Sequence, residues 1–149
     1  MNIKYLIWSI IAALALTLAG CTVGSGAFID KRIERTKLLN HIYANTDEAK
    51  RLNDLVDKDI TAELKRNVEA EMDKDCTAKE REKLAKYETN YVDKLKVIND
   101  KKDRAAVPKA MSDSYKKEGK EEFKVNVKCE GAIKKLTQPL DMHRAPAIP

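Results

Sequence analysis

From Leu52 to Met72 apolar residues return every three or four positions, and that spacing leaves the chain little choice but helix. Ile33, Leu38, Leu39, Ile42 and Tyr43 form one stripe, and Leu52, Leu55, Val56, Ile60, Leu64, Val68 and Met72 continue it. A strand would need strict alternation, whereas a helix of roughly 3.6 residues per turn gathers positions i, i+3 and i+4 on one side. Asn45-Thr46-Asp47-Glu48 supplies a capping side chain followed by acids that suit the positive end of a helix dipole. The segment therefore reads as two helices, 29–44 and 46–74, with one bent helix as the alternative. Repeated steps of four rotate the apolar row by about 40° each. A strict heptad would not drift, so a small bundle fits better than a two-stranded coiled coil.

Thr77-Ala78-Lys79-Glu80 has the spacing of a capping box, and Leu84, Tyr87, Tyr91, Val92, Leu95 and Ile98 then mark a helix over 77–99. Pro108 suits a turn or the first position of a further helix. The last third is divided. Phe123, Val125, Val127 and Cys129 alternate with polar residues, as in a strand, yet Val125, Cys129, Ile133 and Leu136 also stand at helical spacing. A lone strand would find no partner elsewhere in the chain, so helix is favoured. Three of the four prolines fall after Gln138, and residues 138–149 read as a disordered tail. The expected fold is all-α: a small antiparallel helical bundle of three to four helices over residues 29–137.

The amino terminus has a different composition. Residues 1–20 hold one charge, Lys4, and an apolar run from Tyr5 to Ala15 and on to Leu18. Spanning a bilayer takes about 20 apolar residues, more than Tyr5–Gly20 provides. A short positive region, an apolar stretch and small residues describe a secretory signal. Its last residues, Leu18-Ala19-Gly20-Cys21, resemble the lipobox of bacterial lipoproteins cut by lipoprotein signal peptidase. The resemblance covers residues 1–21 only. It implies cleavage before Cys21, diacylglycerol on the Cys21 thiol and an acylated amino group, which together give stable anchoring through more than one chain. Thr22, where an Asp would signal inner-membrane retention, implies the periplasmic face of the outer membrane. Residues 21–28 then form the lipidated cysteine and a flexible tether. The small residues 22–27 reach about 20 Å when extended, which keeps the domain close to the membrane.

With Cys21 acylated, Cys76 and Cys129 remain, an even pair in a compartment that permits oxidation. A disulfide is expected. The chain's two histidines, His41 and His143, have no ligand spacing with these cysteines, so no metal site is assigned. Closing a loop of about 54 residues would contribute on the order of 4 kcal/mol in the chain-entropy model. Such a staple suits a thin core, because Leu, Ile, Val and Phe make up only about a fifth of the mature chain, near the level where compact folding fails. A helix over 77–99 and an antiparallel return over 110–129 would bring Cys129 beside Cys76.

Residues that could carry catalysis are scarce. Ser112 and Ser114 have no neighbouring His, no Gly-rich phosphate loop occurs, and the pairs Glu80/Glu82 and Glu121/Glu122 read as solvated helix faces in a chain that is 36% charged. No catalytic residue or cofactor is assigned, and the chain is expected not to be an enzyme. Charge is unevenly spread: residues 30–75 balance to −2, and residues 76–107 and 108–149 to +3 each. Lys116, Lys117, Lys120, Lys124, Lys128, Lys134 and Lys135 are the candidates for an anionic partner: lipid headgroups, lipopolysaccharide, peptidoglycan carboxylates or an acidic protein. The plainer reading is that they keep the domain soluble. Export and the lack of an aromatic stacking array argue against nucleic acid.

These features point to a lipid-anchored, non-catalytic adaptor that docks a protein partner in envelope or secretion-system assembly. The general layout of lipobox, helices and disulfide is similar to that of helical pilotin-type secretion chaperones. Two alternatives stand beside it. One is a structural protein linking membrane to peptidoglycan through the basic half; the other is an accessory or exclusion lipoprotein of a mobile element. An apolar groove on the bundle would favour the adaptor, since an amphipathic helix binds in such a groove.

Overall fold

A computed structural model of the chain describes residues 24–117, 121–122 and 124–147. Residues 1–23, with the apolar segment and Cys21, lie outside the described residues, as do Lys120 and Phe123. Among the described residues there are six helices: α1 Gly26–Tyr43, α2 Thr46–Asp59, α3 Ala62–Asp75, α4 Ala78–Lys101, α5 Val107–Tyr115 and α6 Val127–Met142. A 3-10 turn, Arg104–Ala106, leads into α5. Between α5 and α6 lies a two-residue antiparallel ladder, β1 Lys116–Lys117 against β2 Glu121–Glu122, with Lys116 opposite Glu122. The chain is all-α, as its periodicity indicates, but with six helices rather than three to four.

The extra helices come from caps. Asn45, Thr61, Thr77 and Asn126 each accept a bond from the backbone N–H three residues on, at 2.9, 3.1, 3.1 and 3.0 Å. Such a bond satisfies one of the donors that a helix start leaves open. Thr61 breaks the expected helix 46–74 into α2 and α3. The step-of-four row Val56, Ile60, Leu64, Val68 hides this break, because Ile60 stays buried while ending α2. The expected helix through residues 110–129 is also divided. The chain turns at the ladder, and α6 begins only at Val127, on its Asn126 cap.

Pairwise contacts give the helix directions. Lys37 bonds Asp57 and Asn40 bonds Asn53, so α1 and α2 are antiparallel. Lys135 pairs with Glu71, and Cys129 is bonded to Cys76, which sets α6 antiparallel to α3. Tyr115 meets Glu88, which sets α5 antiparallel to α4. Helices α1 and α4, in contrast, run the same way. Phe28 and Leu84 share one core cluster, and Ile42 and Ile98 share the other. The first cluster, with Val56, Met72, Leu136 and Leu140, lies around the disulfide; the second adds Leu39, Tyr91 and Leu95.

Both ends of the domain extend past their expected limits. Helix α1 starts at Gly26, and Ser25 and Phe28 are buried, so the expected tether over 21–28 is part of the fold from Gly24 on. Ser25 donates from N and Oγ to Asp73 Oδ1 at 3.2 and 2.8 Å. Gly24 and Gly26 read as flexibility in sequence. In the fold they permit close approach, since a Cβ at either would lie 3.1–3.2 Å from Glu69 Oε1. The expected disordered tail from residue 138 is helix to Met142, with Pro139 inside it. Residues 143–145 are then held by buried Asn40. Its Nδ2 donates to the His143 carbonyl at 2.9 Å, and its Oδ1 accepts from Ala145 N at 2.7 Å.

Candidate functional site

Between the two core clusters lies a layer of charge. Arg32 and Arg35 of α1, Glu88 of α4 and Tyr115 of α5 meet there. Glu88 is 1% exposed and its Oε1 accepts from Arg32 Nη1 at 2.8 Å, Arg35 Nη1 at 2.9 Å and the Tyr115 hydroxyl at 2.5 Å. The Tyr115 oxygen in turn accepts from Arg35 at 2.6 Å and Arg32 at 3.2 Å. Arg35 also lies 4.7 Å from the centroid of the Tyr91 ring, a cation–π distance. Burial works against the Arg32 charge, but the Glu88 carboxylate outweighs it and holds the guanidinium above its ordinary value. Burial first, and Glu88 next, push the Tyr115 hydroxyl up to about 12. A phenol shifted that way serves as a hydrogen-bond donor at neutral pH rather than as a base.

One atom of this layer is left over. Glu88 Oε2 is buried and has no hydrogen-bond partner among the described residues. Glu88 lines a cleft of about 420 Å³ with Phe28, Leu84, Val125 and Ile133 on its apolar side and Arg32, Tyr115 and Lys124 among its polar groups. Sequence reasoning missed this layer, although its signal is present. Arg32 stands four residues after Phe28, Arg35 four before Leu39, and Glu88 four after Leu84. Each is a charge placed within an apolar stripe, and charges so placed are paired when buried.

A second concavity opens on the far end of the bundle, between α4 and α5. It is a shallow, open depression of about 500 Å³ over Val97, Ile98, Ala106 and Ala110, with Asp93 and Lys94 on one side and Lys109 and Asp113 on the other. Val97 is 51% exposed there. Lys109 bonds Asp113 at 2.6 Å and is the main reason the Asp113 carboxyl lies below its usual range.

The basic candidates do not share one face. Lys116 and Lys117 form β1, Lys124 borders the Glu88 cleft, and Lys128 is exposed on the first turn of α6. Lys134 pairs along α6 with Glu130 at 3.7 Å, and Lys135 pairs across to Glu71 at 2.7 Å. At about 100° per residue, Lys128 and Lys135 lie within about 20° of each other, while Lys134 points roughly 100° away. Cys76 and Cys129 are brought together as expected, with Cα atoms 4.6 Å apart. Beside them Glu80 accepts from Asn126 Nδ2 at 2.6 Å and Asn126 N at 2.7 Å, joining the starts of α4 and α6. Burial alone would raise the Glu80 pKa, but the N–H groups of Thr77 and Asn126 outweigh it and hold the carboxyl below its ordinary value.

Among the described residues no group of three or more His, Cys, Asp and Glu is placed to hold a metal ion, and no helix is long and apolar enough to cross a membrane. Comparison of the chain with protein-family models, with curated proteins and with solved structures yields no match.

Proposed function

We propose that this chain is a lipoprotein anchored at Cys21 to the periplasmic face of the outer membrane, where it acts as a non-catalytic adaptor for an envelope protein. The observation that carries this reading is the groove between α4 and α5. It has an apolar floor, an exposed Val97 and rims of mixed charge. That arrangement suits an amphipathic partner helix, whose apolar side would cover Val97 and Ile98 while its flanks meet the rim charges. Ala106 and Ala110 are small, one turn apart, and allow a partner backbone to come close.

The entry of the chain at Gly24 and the groove lie at opposite ends. Two residues, Thr22 and Val23, separate Cys21 from Gly24, and those three steps of chain reach at most about 10 Å when extended. Gly24 enters the fold beside Glu69 and Asp73, at the disulfide end. Val97 is 19 residues along α4 from Ala78, or about 29 Å of helix. A lipid at Cys21 would therefore hold the groove well clear of the headgroups, accessible to periplasmic proteins. The peptidoglycan-linking alternative draws less support, because Lys134 and Lys135 are already paired within the protein.

A photo-crosslinking residue at position 97 tests the groove in intact cells. A discrete adduct with one envelope protein is expected from position 97 and none from exposed Lys58 on α2. No adduct from position 97, or the same adducts from both, would overturn the reading. Cys21→Ser tests the anchor: the protein should leave the membrane fraction, and full retention there would refute lipidation.

A further inference from the structure

The Glu88 cleft is separate from the groove, and its chemistry is different. We infer that it is a binding site for the carboxy-terminus of a peptide ending in a branched apolar residue. Three observations specify the ligand. Glu88 Oε2 is a buried acceptor with no donor among the described residues, so the ligand brings an N–H or O–H. Arg32 commits only Nη1 to the charged layer and its side chain is 17% exposed, and exposed Lys124 lies on the same cleft; together they call for an anion or a strong acceptor. Phe28, Leu84, Val125 and Ile133 supply an apolar wall.

Charge decides between the ligands that could bring a donor. Among the described residues Arg32 and Arg35 are in direct contact with one carboxylate, Glu88, while Asp141 acts on Arg32 only through space and as the smallest of its charge partners. Glu130 on the rim is turned to Lys134. An alkylammonium would bring a further cation to two guanidiniums, and a bare fatty carboxylate would leave Oε2 unsatisfied. A peptide carboxy-terminus answers all three demands: its last N–H can donate to Glu88 Oε2, its carboxylate can accept from Arg32 and Lys124, and its side chain can lie on the apolar wall. A volume of about 420 Å³ falls in the range of small-ligand clefts, roughly 300–1,000 Å³.

The test is an NMR titration of the full chain with N-acetyl-L-leucine, following the Leu84 and Ile133 methyl groups. Saturable shifts of both are expected. N-acetyl-L-leucinamide, which lacks the carboxylate, should bind at least tenfold more weakly, and 4-methylpentanoate, which lacks the N–H, about threefold to tenfold more weakly. Lys124→Ala, at an exposed position outside both core clusters, should weaken N-acetyl-L-leucine about fivefold while leaving the spectrum of the unbound protein unchanged elsewhere. Absence of saturable shifts, equal affinity for the acid and its amide, or an unaltered affinity in Lys124→Ala would each overturn the assignment. So would tighter binding of N-acetyl-D-alanyl-D-alanine, which would make the cleft a reader of cell-wall peptide ends instead. None of these outcomes touches the groove, whose test is crosslinking at position 97.

Discussion

The two halves of the bundle share α1 and α4 and differ in what covers them. At the disulfide end α3 and α6 close over the first cluster, and Val68, Met72, Cys129, Leu136 and Leu140 are all at most 1% exposed. At the far end the cover is α5, nine residues long against sixteen in α6, and Val97 remains 51% exposed. The lesson concerns length. Each half has an apolar stripe, but only the half with a long covering helix is completed, and the short cover leaves the groove. The charged layer of Arg32, Arg35, Glu88 and Tyr115 lies between the halves and ties α5 to α1 and α4.

The largest test of this contrast removes the staple. Cys76→Ser with Cys129→Ser should cost about 4 kcal/mol in the chain-entropy model, read as a lower urea midpoint. Hydrogen exchange should then show α3 and α6 losing more protection than α5, because the cystine joins those two helices. Equal loss throughout would mean that the halves behave as one cooperative unit.

Removing the charge between the halves should cost somewhat less. Glu88→Ala leaves two guanidiniums without their partner. Breaking such buried pairs costs about 3–5 kcal/mol, and the lower end applies because Arg32 is 17% exposed. Here α5 should lose protection first. Urea unfolding followed at Tyr115 and at α6 would separate the two responses, and coincident transitions would count against a distinct α5 half.

The smallest effect is one of pH. Tyr115 has a folded pKa of about 12 against an ordinary 10.0. The folded state therefore holds its proton where the unfolded state releases it. The associated stability is fully present below about pH 10 and is lost as pH rises towards about 12. Tyr115→Phe should flatten the decline in urea midpoint between pH 9 and pH 11 relative to the unsubstituted protein. An unchanged decline would remove Tyr115 from the explanation.

Periodicity and capping made much of this architecture legible. The all-α class and the Asn45 and Thr77 helix starts follow from local patterns, each physically tied to a few neighbouring residues, while the pairing of Cys76 with Cys129, 53 residues apart, followed from the cysteine count. What stayed hidden depends on distant ones. Thr61 looks like an ordinary helix residue until Ile60 is seen to end α2, and Asn40 looks like a surface amide until the chain returns to it at His143 and Ala145. Glu88 and its arginines are set within apolar stripes, a detectable irregularity, but their convergence needs the parallel course of α1 and α4. The groove was legible only as a condition: whether α5 would fully cover α4 depends on where it stops, and Tyr115 is not marked as a terminus by any Gly or Pro at that point.

The entry of the chain at Ser25 has a mechanical consequence. A pull on the segment before Gly24 reaches the body through Ser25 and Asp73, and Asp73 is braced in turn by Arg81 at 3.1 Å. Helix α3, which receives that load, is locked at its end to α6 by a covalent bond. Tension applied there would thus be taken up in the half that the cystine braces, and the opening between α4 and α5 would be insulated from it.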